Sequence, residues 1–365
     1  MSVQTQHNNI DRSPASRPLR VLVVTGIYPT EQRPAAGTFI KQQVDSLIAE
    51  GLDVEVLHPR LGPMPLRYAE AAAQVFRKTL TGRFDVVHGH YSFWSLIARL
   101  QWTSPVVASF LGDDLLGTVS ADHKSHTSKT RFFTTLSRQL CYWVDAVIVK
   151  SEQMKKAAGG PQQKISVIPN GINFAQFKPI PRAEARATLG WEQDRSYVVF
   201  CNNPNIPVKN FPLAQAAMEQ LRARGIEAEL MVANGIPHDR VMLYMNASNA
   251  LLLTSVAEGS PNVVKEAMAC NVPVVSTAVG DVSEVIGRTA GCSVCPHDPE
   301  ALAAGLEKAL LHTERTTGRE DIQYLDSALI AKKVIAVYQK AIGKQVGEEG
   351  AVSSSTKEKV YAQES

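Results

Sequence analysis

Two glutamates, Glu258 and Glu266, flank a short Gly-Ser-Pro turn. Pro261 suits the first position of a helix, and a helix starting near Asn262 presents free backbone N–H groups and a positive dipole end. Such a helix start binds anions, and the two carboxylates can accept hydrogen bonds from hydroxyl groups. The spacing therefore indicates a ligand with phosphate in its middle and sugar hydroxyls at both ends. A helix with ordinary capping acids would show the same spacing.

Lys209, in the segment PVKNF, is the second candidate. A cation close to a helix start is disfavoured by the helix dipole, so the position of this lysine needs a reason. A functional role for this lysine would be such a reason. The alternative is a solvated lysine at the start of a helix.

Short β-branched runs alternate with amphipathic stretches along the chain, which predicts parallel sheets covered by helices on both faces. Strands are predicted at residues 19–29, 53–59, 84–90, 104–110, 145–151 and 164–170, and again at 197–202, 227–234, 249–255, 272–278 and 292–296. Helices are predicted at residues 37–51, 211–225, 262–271 and 298–311. We therefore expect two doubly wound α/β domains, with ligands beyond the carboxyl ends of the strands and in the cleft between domains.

The length and composition agree with two globular domains, since the chain has 365 residues, of which 44% are hydrophobic and 20% charged. We expect a disordered N-terminus at 1–18, a first domain at 19–175 and a second at 176–325. A helix at about 326–342 would cross back to the first domain, followed by a disordered tail at 343–365. The turn-rich segment 168–190 is the predicted boundary.

The cysteine content and the first residues indicate the compartment. Five cysteines, an odd number, argue against a disulfide framework. The first nineteen residues lack the apolar core of a secretory signal, and runs such as VPVVSTAV are too short for a membrane helix. These features predict a cytoplasmic protein.

Charge is unevenly distributed along the chain. Residues 1–175 hold 19 Lys and Arg against 13 Asp and Glu, a net of +6, whereas residues 176–365 hold 19 against 22, a net of −3. A basic first half favours an anionic partner such as a phosphorylated acceptor or a membrane surface, and we expect no nucleic-acid partner. Ordinary solvated charge is the alternative.

The whole stretch EGSPNVVKEAMACNVPVVSTAVGDVSEVI, at residues 258–286, resembles the retaining nucleotide-sugar glycosyltransferases of family 4, which have the GT-B fold. VLVVTGIYP, AAGTFIKQQVDSLIAEGLDVEVL, FDVVHGHYSFWSLIARL, VDAVIVKSEQMKKAA, VIPNGINFAQFKP and PVKNFPLAQAAMEQL are similar to other segments of that family. The resemblance spans roughly residues 19–342. It implies two Rossmann-like domains facing across a cleft, the first binding the acceptor and the second the donor.

The resemblance also implies roles for single residues. Glu258 would contact hydroxyls of the donor sugar, Glu266 the nucleotide ribose, and Lys209 the leaving diphosphate, which makes Lys209 and Glu258 the catalytic candidates. The other implied donor-binding residues are Gly37, Thr38, Gly259, Ser260, Pro261, Asn262 and Val263. The base is assigned to Asn234, Gly235, Ile236 and Pro237. The acceptor and sugar cleft would contain His90, Gly112, Asp113 and Asp114.

The activity implied is transfer of a sugar with retention, most often from a UDP-sugar, to a glycan or lipid-linked acceptor in bacterial polysaccharide or cell-envelope synthesis. No metal and no cofactor are expected. Two alternatives stay open: a nucleotide-sugar epimerase or hydrolase with the same fold, and a non-catalytic subunit that binds nucleotide sugars.

The chain departs from the family pattern at several places. Pro204 stands where an arginine usually precedes the lysine, and Leu111 stands where a histidine usually contacts the sugar. Lys265 could replace the arginine, but a solvated lysine is the preferred interpretation. The run from Val232 to Gly259 is expected to pass almost directly from one strand to the next, without a strand–helix unit that is usual in the family.

Two further pairs have simpler explanations. His88 and His90 alternate on a predicted strand and so face one side, but they lack a third metal ligand. We interpret them as core or cleft histidines. Cys292 and Cys295 have the CxxC spacing without a second pair, so zinc binding and redox chemistry are disfavoured.

Overall fold

Eleven short strands form two parallel sheets in the part of the chain that the structure describes. The structure is a computed structural model, and it describes residues 17–343 except 35, 61, 118–127, 288 and 313. The predictions of disorder at 1–16 and at 344–365 lie outside the described residues.

The first sheet has six strands in the order β2-β1-β3-β4-β5-β6. They are β1 (Arg20–Val24), β2 (Asp53–Leu57), β3 (Val86–His90), β4 (Val106–Ser109), β5 (Ala146–Val149) and β6 (Ile165–Val167). The surrounding helices are α1 (Thr38–Ala49), α2 (Met64–Gly82), α3 (Ser92–Ala98), α4 (Asp113–Leu116), α5 (Ser128–Trp143) and α6 (Glu152–Ala158), with a 3₁₀ turn at Gln162–Lys164.

The second sheet has five strands in the order β11-β10-β9-β7-β8. They are β7 (Tyr197–Phe200), β8 (Glu229–Val232), β9 (Ala250–Leu253), β10 (Val274–Thr277) and β11 (Ser293–Cys295). Its helices are α7 (Arg182–Leu189), α8 (Phe211–Ala223), α9 (His238–Ala247), α10 (Asn262–Ala269), α11 (Val282–Ile286), α12 (Pro299–Leu311) and α13 (Gly318–Asp321), with 3₁₀ turns at Pro207–Lys209 and Gln323–Leu325.

Burial explains why the strands read as continuous apolar runs. The residues of β9 and β10 are fully buried, as are four of the five residues of β1. A parallel sheet that carries helices on both faces has no solvent-facing side, so polar alternation is absent. The predicted α/β class and the two parallel sheets are therefore confirmed.

Two predictions about elements were wrong. The first strand was expected to run from 19 to 29, but β1 ends at Val24, and the residues after it form a loop in which Thr25 Oγ1 donates to the Ile27 carbonyl at 3.0 Å. The chain also does not pass directly from β8 to β9, because the ten-residue helix α9 lies between them. Two turn-forming residues before α9, Gly235 and Pro237, obscured its start in the sequence.

The last helix, α14 (residues 327–343), packs against the first sheet. Ile330, Val334 and Tyr338 on this helix are buried. The Tyr338 hydroxyl forms a 2.7 Å hydrogen bond with His88 Nδ1 on β3, 250 positions earlier in the chain. Because of this contact, the end of the chain ties the second half of the molecule to the first.

Candidate functional site

Lys209 and Glu258 meet at the carboxyl edge of the second sheet. Lys209 Nζ donates to Glu258 Oε1 at 2.6 Å, and the Ser255 hydroxyl donates to the same oxygen at 2.8 Å. The side chains of this pair are 20% and 15% exposed, so they lie at a surface rather than in the core. The charges neutralise one another here, and both could turn to a ligand with complementary groups.

The backbone around Lys209 is held by the end of β9. The Thr254 hydroxyl donates to the Lys209 carbonyl at 2.9 Å, and Val256 N–H donates to the Val208 carbonyl at 2.9 Å. These bonds place the 3₁₀ turn that carries Lys209 beside the loop that carries Glu258. The position of the lysine is therefore fixed by the strand end and not by α8.

The start of α10 is open to an anion. Pro261 precedes Asn262 in extended geometry, no side chain caps the helix, and its first turn has no acidic residue. The first N–H groups of a helix have no intrahelical acceptor, so those of Asn262 and Val263 are available to a ligand.

The turn before α10 contacts the first half of the chain directly. A Cβ on Gly259 would collide with the Leu111 carbonyl oxygen, and a Cβ on Gly112 would lie 3.4 Å from the Gly259 nitrogen. Ser260 is buried. Glycine is therefore required at 259 because two backbone segments approach closely, and the predicted sugar-cleft and donor residues share one interface.

Glu266 lies one turn into α10 and is 6% exposed. His238 Nε2 approaches Glu266 Oε1 at 3.3 Å, and Gln176 Nε2 donates to His238 Nδ1 at 3.0 Å. His238 is the first residue of α9, directly after the exposed loop that was assigned to the base at Asn234, Gly235, Ile236 and Pro237. That loop therefore precedes the residue that contacts Glu266.

A cleft of ≈ 1270 Å³ opens beside this group. Its walls include the loop after β1, the start of α1 with Thr38, and His238, but neither Lys209 nor Glu258. The cleft meets the hydrogen-bonded group at His238, which contacts Glu266. Gly37 (φ 70°) lies beside the wall, where a Cβ would be 2.7 Å from the Ile27 carbonyl oxygen.

The cleft is rich in positive charge. Its lining includes the basic side chains Arg33, Lys41, Arg60 and Arg67, the imidazole of His58, and two carboxylates, Glu31 and Asp45. Lys41 is paired with Asp45 at 2.5 Å, and Arg67 donates to the Gly26 carbonyl at 3.1 Å. The sequence indicated the basic first half but not this cleft, because the residues that line the cleft come from loops and helices that are separated in the chain.

The predicted cleft residues of the first sheet divide into exposed and buried groups. Asp113 is exposed. Asp114 is buried, and its Oδ1 accepts hydrogen bonds from the N–H groups of Leu111 and Gly112 at 3.0 Å each. Burial raises the pKa of Asp114 to about 7, although these N–H groups act in the opposite direction. Asp114 therefore braces the loop that contacts Gly259.

His88 and His90 face the same side of β3, with ring centroids 4.3 Å apart, as the strand alternation predicted. His88 Nε2 lies 2.7 Å from the Ser109 hydroxyl. Burial lowers the pKa of both imidazoles, so they are neutral near pH 7. Among the described residues, no group of three or more His, Cys, Asp or Glu could hold a metal ion.

The preferred interpretation of Lys265 as a solvated lysine was wrong. Its side chain is 1% exposed, and Nζ lies 3.2 Å from Asp281 Oδ2 and 3.2 Å from the Asn170 carbonyl, in addition to a bond with the Ser260 hydroxyl. Lys265 therefore contacts the segment that connects the two sheets, and none of its hydrogen bonds or ion pairs involves Lys209 or Glu258. Lys265 and Glu266 are adjacent in the sequence, but their side chains therefore have different partners.

Sequence reasoning missed His238, Ser255, Asp281 and Lys150. Asp281 follows Gly280 at the end of β10, and Lys150 follows β5, so each occupies the position after a parallel strand where ligands bind in α/β sheets. Their position after a parallel strand is the signal by which the sequence could have identified these two residues. Cys292 and Cys295 are free thiols near the β10–β11 edge, and Cys292 accepts a hydrogen bond from Val274 N–H at 3.3 Å.

The family models that match this chain cover both halves. The model described as Glycosyltransferase Family 4 matches residues 14–176, and the one described as Glycosyl transferases group 1 matches residues 212–321. The chain is 24% identical over 360 residues to TuaC of Bacillus subtilis, a glycosyltransferase assigned to teichuronic acid biosynthesis, covering 80% of this chain and 89% of TuaC. It is 25% identical to the D-inositol 3-phosphate glycosyltransferase of Acidothermus cellulolyticus, covering 82% and 76%.

Solved structures share the fold. Sucrose-phosphate synthase from Thermosynechococcus elongatus superposes with a TM-score of 0.72 at 18% identity, covering 90% of this chain and all (100%) of that one. Anabaena HepE, solved with UDP and glucose, gives a TM-score of 0.65 at 18% identity, covering 89% and 100%. None of the helices in the described part of this chain is long and apolar enough to cross a membrane.

Proposed function

Since the chain is a family 4-like glycosyltransferase with the GT-B fold, we propose that it transfers a sugar from a UDP-sugar to an anionic acceptor with retention of configuration. The observation that carries this proposal is the meeting of Lys209 and Glu258, 2.6 Å apart, beside the uncapped start of α10. A cation, a carboxylate and free N–H groups in one place suit the junction between a sugar and a diphosphate.

The roles follow from charge. Lys209 and the N–H groups of Asn262 and Val263 would bind the diphosphate, where negative charge grows as the bond to the sugar breaks. Glu258 would turn from Lys209 to sugar hydroxyls, while Ser255 keeps the carboxylate in place. Lys209 would then be free to bind the phosphate as negative charge develops there.

Retention would follow from attack on the face that the diphosphate leaves. The acceptor oxygen forms a bond to the anomeric carbon, the carbon–phosphate oxygen bond breaks, and the hydroxyl proton passes to the leaving phosphate. No protein nucleophile and no metal ion take part in this proposal. EDTA should leave turnover by the purified enzyme unchanged. Loss of turnover in the presence of EDTA would contradict metal independence.

Glu266 would hold the ribose of the nucleotide. Its carboxylate is buried and its one described partner is His238, whose ring is kept in place by Gln176. A ribose hydroxyl could donate to the second carboxylate oxygen. The preference for UDP is supported by HepE, which shares the fold and was solved in complex with UDP-glucose.

The acceptor would lie in the basic cleft. Arg33 and Arg60 are exposed there. Such a cleft favours an acceptor with phosphate or carboxylate groups, as in glycan or lipid-linked intermediates of bacterial envelope polysaccharides, the kind of pathway named for TuaC. An acceptor cleft of this size also favours transfer over epimerisation or hydrolysis, which need no second substrate.

The proposal is tested by a thermal-shift screen of UDP, GDP, ADP and their sugars, followed by measurement of nucleotide release. A ligand that binds only the folded state raises the melting temperature. We expect UDP to do so, and UDP to be released from a UDP-sugar only when an anionic glycan or lipid-phosphate acceptor is present. Release without any acceptor would support a hydrolase instead, and absence of binding by every nucleotide would overturn the proposal.

Contact with a membrane surface is part of the same proposal. The net charge of +6 over residues 1–175 would attract an anionic lipid surface. Co-sedimentation with liposomes should then increase with the fraction of anionic lipid and decrease with salt. Binding independent of anionic lipid would count against it.

A further inference from the structure

A second lysine, Lys150, is buried between the two halves of the molecule and forms no direct ion pair with any residue that the structure describes. It follows β5, its residue is 2% exposed, and among the described residues no group lies within hydrogen-bond or ion-pair distance of its ammonium. An ammonium taken out of water and left unpaired is costly to a protein. A lysine retained in this state needs an explanation other than stability.

Three more buried polar groups near Lys150 are incomplete. Asp281 Oδ1, Asp114 Oδ2 and His90 Nδ1 are each buried without a hydrogen-bond partner. Lys150 interacts electrostatically with all three of these residues, and with Lys265. These three residues and Lys150 therefore belong to one cluster, which we call the interdomain polar cluster: His90, Asp114, Lys150 and Asp281.

The cluster has contributions from both sheets. In the first sheet, His90 ends β3 and Lys150 follows β5. Asp114 braces the Leu111–Gly112 loop, and Asp281 lies after β10 of the second sheet. The contact between Gly112 and Gly259 joins these loops. Glu258, the proposed sugar ligand, directly precedes Gly259. The cluster is therefore next to the place where the transferred sugar would be held.

We propose that the interdomain polar cluster binds hydroxyl groups of the transferred sugar, with Lys150 and Asp281 as residues that determine which sugar is accepted. This inference rests on the proposed function. A hydroxyl group both accepts and donates, so it can take a hydrogen bond from Lys150 and give one to a carboxylate oxygen. An ionised carboxylate only accepts hydrogen bonds, so it cannot donate to the unpartnered oxygens of Asp114 and Asp281, whereas a hydroxyl can.

The arrangement also explains a departure from the family pattern. Leu111 replaces the histidine that resemblance places against the sugar, and a leucine cannot form hydrogen bonds. The cluster would supply polar contacts from the layer behind that loop. Entry of the sugar requires the Leu111–Gly112 loop to separate from Gly259, so binding would be coupled to movement of one half of the molecule against the other.

The experiment compares nucleotides with nucleotide sugars on matched variants. Affinities for UDP, UDP-glucose, UDP-N-acetylglucosamine, UDP-glucuronate, GDP and GDP-mannose are measured by calorimetry for the wild type, Lys150→Met, Lys150→Gln and Asp281→Asn. Lys156→Met, an exposed position on α6, is the control. Melting temperatures are recorded for each protein.

We expect at least one neutral sugar nucleotide to bind the wild type more tightly than its free nucleotide. Lys150→Met should reduce that difference by about tenfold, the effect of one hydrogen bond to a charged group, while nucleotide affinity is unchanged. Its melting temperature should not fall, since a purely structural lysine would lower it when removed. Lys156→Met should behave as the wild type.

Three results would overturn the inference: an unchanged sugar-dependent difference in both Lys150 variants and in Asp281→Asn, no difference on the wild type for any sugar, or a difference confined to UDP-glucuronate. Failure of every nucleotide to bind the wild type is a separate result, and it would remove the proposed function itself.

Discussion

Lys209 and Lys265 lie on two sides of the same helix start and differ in almost every physical respect. Lys209 is one-fifth exposed and shares a carboxylate, Glu258, with a hydroxyl. Lys265 is buried and bonded to a carboxylate, a hydroxyl and a carbonyl at once. One lysine can exchange its partner for a ligand and the other cannot.

The difference shows how the chain holds the start of α10 rigid while keeping a charged pair beside it near the surface. The three bonds of Lys265 join α10, the β10–α11 loop and the connecting segment at Asn170, so the helix start is fixed from behind. In the proposed function, Lys209 and Glu258 would then face the ligand from a rigid base. The same residue type would serve a structural role at Lys265 and a catalytic role at Lys209.

The largest effect is expected from Lys265→Met. Removing the ammonium leaves Asp281 as an uncompensated buried charge, which typically costs about 3–5 kcal/mol. Urea denaturation should show this loss, and Lys265→Met/Asp281→Asn should recover much of it because the lone charge is gone. A loss below about 1 kcal/mol would mean that Lys265 is solvated after all, and the contrast with Lys209 would be lost.

Lys209→Ala should reverse this pattern. Turnover should fall about 10²–10³-fold, as for removal of one group that stabilises developing charge, while the unfolding free energy changes by about 1 kcal/mol or less. Steady-state nucleotide release and urea denaturation measure the two quantities. Near-normal turnover would refute the catalytic role, and Lys156→Ala serves as the matched control.

Glu266→Gln tests the other carboxylate of α10. It should raise KM for the nucleotide sugar about tenfold with little change in kcat, because a hydrogen bond from the ribose to a charged acceptor contributes about 1.5–3 kcal/mol. Affinity for UDP, measured by calorimetry, should fall by the same factor. Equal affinity of the variant and the wild type for UDP would remove Glu266 from the ribose site.

The pH dependence of stability is a separate test of the burial of Lys150. Burial, and next Lys265, lowers the pKa of Lys150 to about 7 from the usual 10.5. Between these values the unfolded chain binds a proton that the folded chain does not, so the lysine's contribution to stability rises with pH and its cost is complete below about pH 7. Lys150→Met should therefore stabilise most at pH 7 and below.

The stabilisation by Lys150→Met should shrink by about 1 kcal/mol for each pH unit between pH 7 and 10. Taking the difference between variant and wild type cancels the cysteine and tyrosine groups that titrate in the same range. Urea denaturation at four pH values measures it. A pH-independent difference would show that the ammonium is hydrated in the folded protein.

The local elements could be predicted because each depends on neighbouring residues. Apolar runs bounded by turn formers predicted all eleven strands of the described chain, and the Gly-Ser-Pro turn predicted the start of α10. Helix α9 was missed because the turn-forming residues before it are equally typical of a loop. Glu258, Lys209 and Glu266 were identified through the resemblance, and the structure brings the first two together.

The amino-acid sequence by itself determined the alternation of strands and helices, the uncapped helix start with its two glutamates, and the basic first half, because periodicity, capping and charge are properties of short segments. Only the tertiary structure decided that Lys265 is buried, that His238 reaches Glu266 and that Lys150 approaches Asp281. These outcomes depend on burial and on contacts between residues far apart in the chain, 131 positions in the case of Lys150 and Asp281, and no local pattern encodes which distant group will exclude water from a charge.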